Sequence, residues 1–199
     1  MRVFLGIVGV GVLVVLAFFA WVYSGGYDVA ATRPHSAIGA WVLETVKRQS
    51  VRAHSRGIAA PPQLAEEGMV EEGARQYRED CQLCHAAPGI EAAGFARNMN
   101  PPPLKMSDGA RNWTSDELFW VVKNGIRMTG MPAFGPRLSD DRIWRVVAFL
   151  GRMPEIGAER YMQLTAPAEP AAPPQEQQPM IPPSEGEQGT RQPPAPAPQ

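Results

Sequence analysis

Apolar and polar positions divide the chain into three unlike parts. Val3 to Tyr23 is a stretch of 21 residues without a charged side chain. In the middle of the chain, apolar residues recur every three or four positions between polar ones, the pattern of amphipathic helices. Residues 165–199 contain few large apolar side chains and 11 of the 21 prolines. The pattern predicts an apolar helix, a helical domain, and a disordered tail that buries too little surface to fold.

End signals delimit the helices of the middle part. Ser36 suits the N-cap of a helix over residues 36–57, and residues 66–80 form the next helix. Thr114 and Glu117 have the spacing of a capping box, which starts a helix that ends at Gly125. Ser139 caps the last predicted helix, which contains the apolar stripe Ile143, Trp144, Val147 and Leu150.

The first apolar stretch is long enough to cross a membrane. A helix of 21 residues spans the ~30 Å of a hydrocarbon core. Because the apolar core of a cleaved signal is usually only ~7–15 residues, we expect an uncleaved anchor over residues 1–24. A signal peptide cleaved after Ala20 or Ala31 is the alternative.

The connector, residues 25–64, contains a helix that is both apolar and basic. Its apolar residues Ile38, Trp41, Val42 and Val46 lie on one side, and Lys47, Arg48, Arg52 and Arg56 crowd its later turns. Such a helix either lies on anionic lipid or covers an apolar face of the main domain or of a partner subunit. The sequence leaves both interpretations open.

Composition and charge exclude several classes of protein. Charged residues make up 20% of the chain and the net charge is −1, so nothing in the composition indicates a nucleic-acid-binding protein. Residues 1–64 carry six basic and two acidic residues, whereas residues 165–199 carry one and four. Two cysteines are too few for a small disulfide-stapled protein.

Both cysteines belong to the pentapeptide Cys81-Gln82-Leu83-Cys84-His85. A C-x-x-C-H sequence is the covalent attachment signal for c-type haem. Thiols three positions apart on a helical turn can each add to one haem vinyl group, and His85 then meets the iron. A thioredoxin-type pair would need a βαβ surround, a structural zinc site needs four ligands, and a disulfide across two residues would be strained.

A second iron ligand is expected from a methionine. Met131 lies 46 residues after His85 in the loop Thr129-Gly130-Met131-Pro132-Ala133-Phe134-Gly135, whose glycine and proline make a tight, stiff turn. Ligation by histidine and methionine suits an electron-transfer haem and raises its potential. Met128 is the rival ligand, with Met99 and Met106 behind it.

These two motifs, in this order, resemble a class I cytochrome c over residues 65–164. The whole layout is similar to the membrane-anchored monohaem cytochromes c of proteobacteria. The resemblance implies an all-α domain around one covalent haem c, attached to Cys81 and Cys84 and ligated by His85 and Met131.

It also implies that the first and last helices of the domain cross, with Gly73 and Tyr77 meeting Trp144 or Val147. The resemblance further implies that a carbonyl in the segment Asn100-Pro101-Pro102-Pro103-Leu104 accepts a hydrogen bond from the His85 ring, and we expect it to be that of Pro102.

The function implied is single-electron transfer in a bacterial respiratory or related chain, not catalysis. The haem domain would lie in the periplasm on a single-pass inner-membrane anchor, either as a carrier or as a subunit of a larger oxidoreductase. A quinol-oxidising complex or a dehydrogenase would donate electrons and a terminal oxidase would accept them, with no small-molecule substrate. The alternative is a haem-based gas sensor or small peroxidase, in which the sixth iron position is open or its ligand is displaceable.

Overall fold

The computed structural model describes residues 1–167, and this part of the chain is helical with no β-strand. Its α-helices are α1 (Arg2–Tyr23), α2 (Ala37–Ser55), α3 (Glu67–Asp80), α4 (Gln82–His85), α5 (Gly94–Arg97), α6 (Met106–Gly109), α7 (Ser115–Asn124), α8 (Asp140–Arg152) and α9 (Ala158–Thr165). Short 3-10 turns occur at Pro62–Ala65, Ala110–Asn112 and Met153–Glu155. The all-α fold expected from the sequence is confirmed.

The first helix carries no charged side chain after its first residue, Arg2. It covers 22 residues, of which an 18-residue window has a mean hydropathy of 2.9, and none of its residues is buried against the rest of residues 1–167. By length and composition it is able to span a membrane.

The core of the domain forms where α3 crosses α8. A Cβ on Gly73 would lie 1.9 Å from the carbonyl oxygen of Arg145 and 3.0 Å from the Cβ of Phe149, so the two backbones are nearly in contact. The ring of Tyr77 lies 5.2 Å from that of Phe149, and both are buried. The predicted crossing is therefore present.

For Gly73, the predicted partners in this crossing were wrong. The nearest atoms of α8 to Gly73 belong to Arg145 and Phe149, not to Trp144 or Val147. Trp144 instead stacks on Phe119 of α7, with ring centroids 4.3 Å apart. Because the close contact is made by the backbone of Arg145, the polarity of its side chain does not indicate where the two helices touch.

The predicted helix starts are confirmed by their caps. The Ser36 side chain accepts a hydrogen bond from the Gly39 amide at 3.1 Å. The Ser139 side chain accepts one from the Arg142 amide at 3.4 Å. The capping box of α7 is formed, and the Thr114 amide donates to the Glu117 carboxylate at 3.0 Å. These side chains satisfy amides that would otherwise have no partner in the first turn.

The sequence analysis missed α9, which begins after what we predicted to be the last helix. Tyr161 and Leu164 on α9 are buried, and Arg160 pairs with Glu67 of α3 at 2.8 Å. Thr165, placed in the predicted disordered tail, is buried at the end of this helix. Residues 168–199, the rest of that tail, lie outside the described part.

The two halves of α2 have different surroundings. In the second half, Val51 and Ser55 are buried, and Arg52 pairs with Glu117 of α7 at 3.5 Å. The Arg48 guanidinium lies 5.0 Å from the ring of Trp113, at cation–π distance. This half follows the second interpretation, in which the helix covers the main domain.

Candidate haem site

The cysteines and the histidine lie on one tight turn directly after α3. Cys81 caps α3, and the amides of Cys84 and His85 both donate to the Cys81 carbonyl, at 3.1 and 2.9 Å. The two cysteines are not joined to each other by a disulfide. The turn thus brings together the two thiols and the imidazole that the pentapeptide predicts.

Two buried tyrosines hold this turn in place. The Tyr77 hydroxyl donates to the carbonyl of Ala86, the residue after His85, at 2.6 Å. The Tyr161 hydroxyl donates to the Gln82 side chain at 2.6 Å. Sequence reasoning missed both bonds, because each joins residues whose proximity depends on the fold.

The imidazole of His85 is oriented by the main chain of a distant segment. Its Nδ1 donates to the Leu104 carbonyl at 2.8 Å, which leaves Nε2 as the nitrogen able to bind a metal. Burial lowers the pKa of His85, and the bond to Leu104 opposes that effect. The ring therefore favours the neutral form that a metal ligand requires.

The prediction of Pro102 as the partner of His85 was wrong. The accepting carbonyl belongs to Leu104, two residues later and still in the proline-rich segment. The expected type of bond is present, but an extended run offers several free carbonyls and no sequence signal marks the one that faces the ring.

The loop that contains Met131 is hydrogen-bonded to the end of α7. The Phe134 amide donates to the Val122 carbonyl at 3.1 Å, and the Gly135 amide to that of Lys123 at 2.9 Å. Gly125 ends α7 with φ of +67°. A Cβ at Gly125 would lie 2.8 Å from the Met131 carbonyl oxygen, so only glycine fits beneath this loop.

A threonine that the sequence analysis did not single out sets the turn itself. The Thr129 hydroxyl donates to the Ile126 carbonyl at 2.7 Å and accepts from the Met131 amide at 3.1 Å. Such local hydroxyl bonds stabilise turns, so threonine two residues before the methionine was a readable signal.

The rival methionines differ in their positions. Met131 is half-buried and packs against the core, whereas Met128 is 89% exposed. Met99 lies close to the predicted loop, because its sulfur would be 2.9 Å from a Cβ on Gly130. Met106 packs against the core from α6. The structure therefore places the Met131 thioether against the core and Met99 close to this loop, whereas Met128 projects from the surface beside it.

The thiol of Cys81 is not poised for thiolate chemistry. Burial is the main cause that raises its pKa to about 12, and the charge of Asp80 adds to the effect. A reactive redox cysteine has a lowered pKa instead. Among the residues that the structure describes, no three His, Cys, Asp or Glu side chains form a cluster able to hold a metal ion. Neither feature favours the redox-pair or zinc interpretations.

The available groups fit haem c. The turn offers two thiols, an imidazole with Nε2 uncommitted, and apolar side chains exposed nearby, such as Leu83, Phe95 and Leu104. A porphyrin needs this combination of covalent anchors, a nitrogen ligand and apolar contact surface.

Comparison with known proteins agrees with this chemistry. Residues 68–150 match the family model described as "Cytochrome C oxidase, cbb3-type, subunit III". No curated protein and no solved structure matches the chain. The match includes the attachment turn, Leu104 and the Met131 loop, and it leaves out α1, α2 and α9. The chain therefore contains an all-α, class I-like monohaem cytochrome c domain with an electron-transfer role, and its cofactor is covalently bound haem c.

Proposed function

We propose that this protein is a membrane-tethered carrier of single electrons in a bacterial respiratory or related chain. One haem c is attached at Cys81 and Cys84 and ligated by His85 and Met131. The domain lies in the periplasm, on a single-pass anchor in the inner membrane. Among monohaem cytochromes c, we propose that it is of the membrane-anchored type of proteobacteria.

The observation that carries the proposal is the bond between His85 and Leu104 on the attachment turn. It fixes the ring plane and tautomer before any ligand binds, so an electron enters or leaves with little rearrangement of the protein. The loop locked to α7 holds the Met131 thioether in the same way. Haem c, when bound, supplies a one-electron ferric–ferrous couple.

The tether is supported by α1. Its 21 uncharged residues, Val3 to Tyr23, find no partner in the described part of the chain, and a bilayer is the environment that suits such a surface. Haem is attached outside the cytoplasm in proteins of this kind, which places the domain on the periplasmic side.

Redox partners would dock beside the Met131 loop. Met128 and Ala133 are exposed there, and Phe134 lies beneath the Arg137 guanidinium at 5.7 Å. A small apolar patch with a polar rim suits brief contacts with fast release. We propose a quinol-oxidising complex or a dehydrogenase as donor and a terminal oxidase as acceptor. The name of the matched family adds the option of a permanent oxidase subunit.

Two measurements on the purified full chain test the proposal. A potentiometric titration should follow a single one-electron Nernst curve. Carbon monoxide added to the reduced protein should leave the Soret band unchanged, because six-coordinate iron has no open position. A clear Soret shift would favour the gas-sensor or peroxidase alternative instead.

A further inference from the structure

The first half of α2 presents an apolar face that nothing in residues 1–167 covers. Ile38, Trp41, Val42 and Val46 expose 77, 68, 42 and 61% of their surface. Their spacing of three, one and four residues places them on one side of the helix. Contiguous exposed apolar surface of this kind marks an interaction site.

This face points away from the domain to which α2 is attached. The contact with α7 involves the second half of the helix, where Val51 is buried. Val51 follows Val42 by nine residues, and nine steps of about 100° place the two on opposite sides of the helix. The domain therefore holds α2 with its apolar face outward.

The connector keeps this face close to the end of α1. Only residues 24–36 separate the two helices, a segment that reaches about 45 Å even when fully extended. Within it, the Arg33 carbonyl accepts a hydrogen bond from the Asn100 side chain at 2.7 Å. The segment is thus tied to the domain just before the proline-rich run that leads to Leu104.

Charge along the same side of α2 also suits a lipid surface. The apolar positions are followed at the far end of the helix by Arg56, which is exposed, and by Arg52, which pairs with Glu117 of α7. Arg56 follows Ile38 by 18 residues, which is five full turns, so it lies on the side of the apolar face. An apolar stretch that continues into basic residues is the pattern of helices at a membrane interface, with cations at the phosphate level.

We propose that the face formed by Ile38, Trp41, Val42 and Val46 lies in the interfacial layer of the bilayer that α1 spans. The partner is the lipid surface itself, and Trp41 provides the aromatic anchor. The inference rests on the tether under the proposed function. Its consequence is that α2 and the Asn100 contact hold the cytochrome domain in one orientation against the membrane. Without them, the domain would rotate freely on a flexible connector.

The test measures the environment of single spin labels on the full-length holoprotein in phosphatidylcholine–phosphatidylglycerol nanodiscs. The native thiols are consumed by haem attachment, so one engineered cysteine takes up the nitroxide. The test variant is Val42→Cys. Leu13→Cys in α1 is the control for lipid, and Arg142→Cys on the exposed first turn of α8 is the control for water. Collision rates with oxygen and with a water-soluble nickel complex are compared at each site.

We expect oxygen collisions to exceed nickel collisions at Val42 and Leu13, and the reverse at Arg142. Nickel collisions that dominate at Val42 would show that the face lies in water and would overturn the inference. Protection from both reagents would show that a protein surface covers it, such as a second copy or residues 168–199, and would also overturn it. If nickel collisions dominate at Leu13 as well, α1 does not span the bilayer and the proposed tether is wrong. Labelling of more than one thiol would show that haem is not attached to Cys81 and Cys84.

Discussion

Gly125 lies directly beneath Met131. A Cβ at position 125 would lie 2.8 Å from the Met131 carbonyl oxygen and 2.7 Å from the Pro132 carbonyl carbon. The end of α7 and the proposed ligand loop are thus packed at a distance that excludes any side chain. The position of the thioether depends on a glycine six residues away from it.

Gly125→Ala should therefore release the methionine ligand. An alanine with φ near +67° costs about 1–2 kcal/mol, and the clash with the loop adds to that. We expect the near-infrared band of ferric sulfur–iron ligation to weaken and carbon monoxide to bind the reduced protein. Gly151→Ala on α8, where a Cβ meets nothing within 4 Å, is the matched control and should behave as wild type. An unchanged band in Gly125→Ala would show that the loop does not depend on this contact.

The identity of the sixth ligand can be tested by replacing each methionine in turn. Met131→Ala should abolish the near-infrared band and open the iron to carbon monoxide. Met128→Ala should leave both unchanged, because Met131 packs against the core and Met128 does not. Met99→Ala separates the two thioethers that lie near the loop, and we expect it to keep the band. Loss of the band in Met99→Ala alone would assign the ligand to Met99.

The crossing of α3 and α8 should tolerate no side chain on Gly73. A Cβ there would lie 1.9 Å from the Arg145 carbonyl oxygen, so the helices must separate. We expect Gly73→Ala to lower the free energy of unfolding by about 3 kcal/mol or more in a urea titration of the holoprotein. Gly68→Ala lies on the same helix, has no atom within 4 Å of its Cβ, and should raise stability by up to about 1 kcal/mol. Equal effects in the two variants would contradict the close crossing.

Stability should fall in alkaline solution because two buried tyrosines stay protonated in the native state. Burial is the main cause that raises the pKa of Tyr77 above its ordinary value of 10.0, and burial also raises that of Tyr161 to about 12. Above pH 10 the unfolded chain releases these protons while the native state keeps them, so deprotonation stabilises the unfolded state relative to the native state. Each tyrosine then removes about 1.4 kcal/mol of stability per pH unit.

Tyr77→Phe separates this effect from general alkaline damage. It removes the hydrogen bond to the Ala86 carbonyl, which should cost about 1–3 kcal/mol at neutral pH. Between pH 10 and 11 its stability should fall less steeply with pH than that of wild type. Urea titrations at several pH values measure both quantities. Parallel pH curves for the two proteins would show that Tyr77 does not titrate in this range.

Local signals in the sequence predicted the longer helices α1, α2, α3, α7 and α8 and most of the attachment turn. Ser36, Thr114 and Ser139 mark helix starts because capping acts within three residues, and C-x-x-C-H is a chemical pattern of five. These features need no knowledge of the fold.

The features that the sequence did not predict depend on contacts between distant residues. The partner of His85 is Leu104 and not Pro102. Several carbonyls in this extended run are equivalent in sequence, and only the position of the His85 ring in the fold distinguishes them. The helix α9 has only eight residues, and its evident role, the contact of Tyr161 with Gln82, joins residues 79 positions apart. The two halves of α2 could not be told apart, because the burial of Val51 and Ser55 and the pairing of Arg52 with Glu117 depend on where α7 lies.

The most direct test of the central claim is the intact mass of the purified chain after denaturation and extraction with acidified acetone. The attached haem should stay with the polypeptide, so the measured mass should be that of the polypeptide plus the mass of one haem. The double variant Cys81→Ala, Cys84→Ala should lack this added mass. A colourless chain at the polypeptide mass, with both thiols free or joined to each other, would contradict the assignment of Cys81 and Cys84 as the covalent anchors.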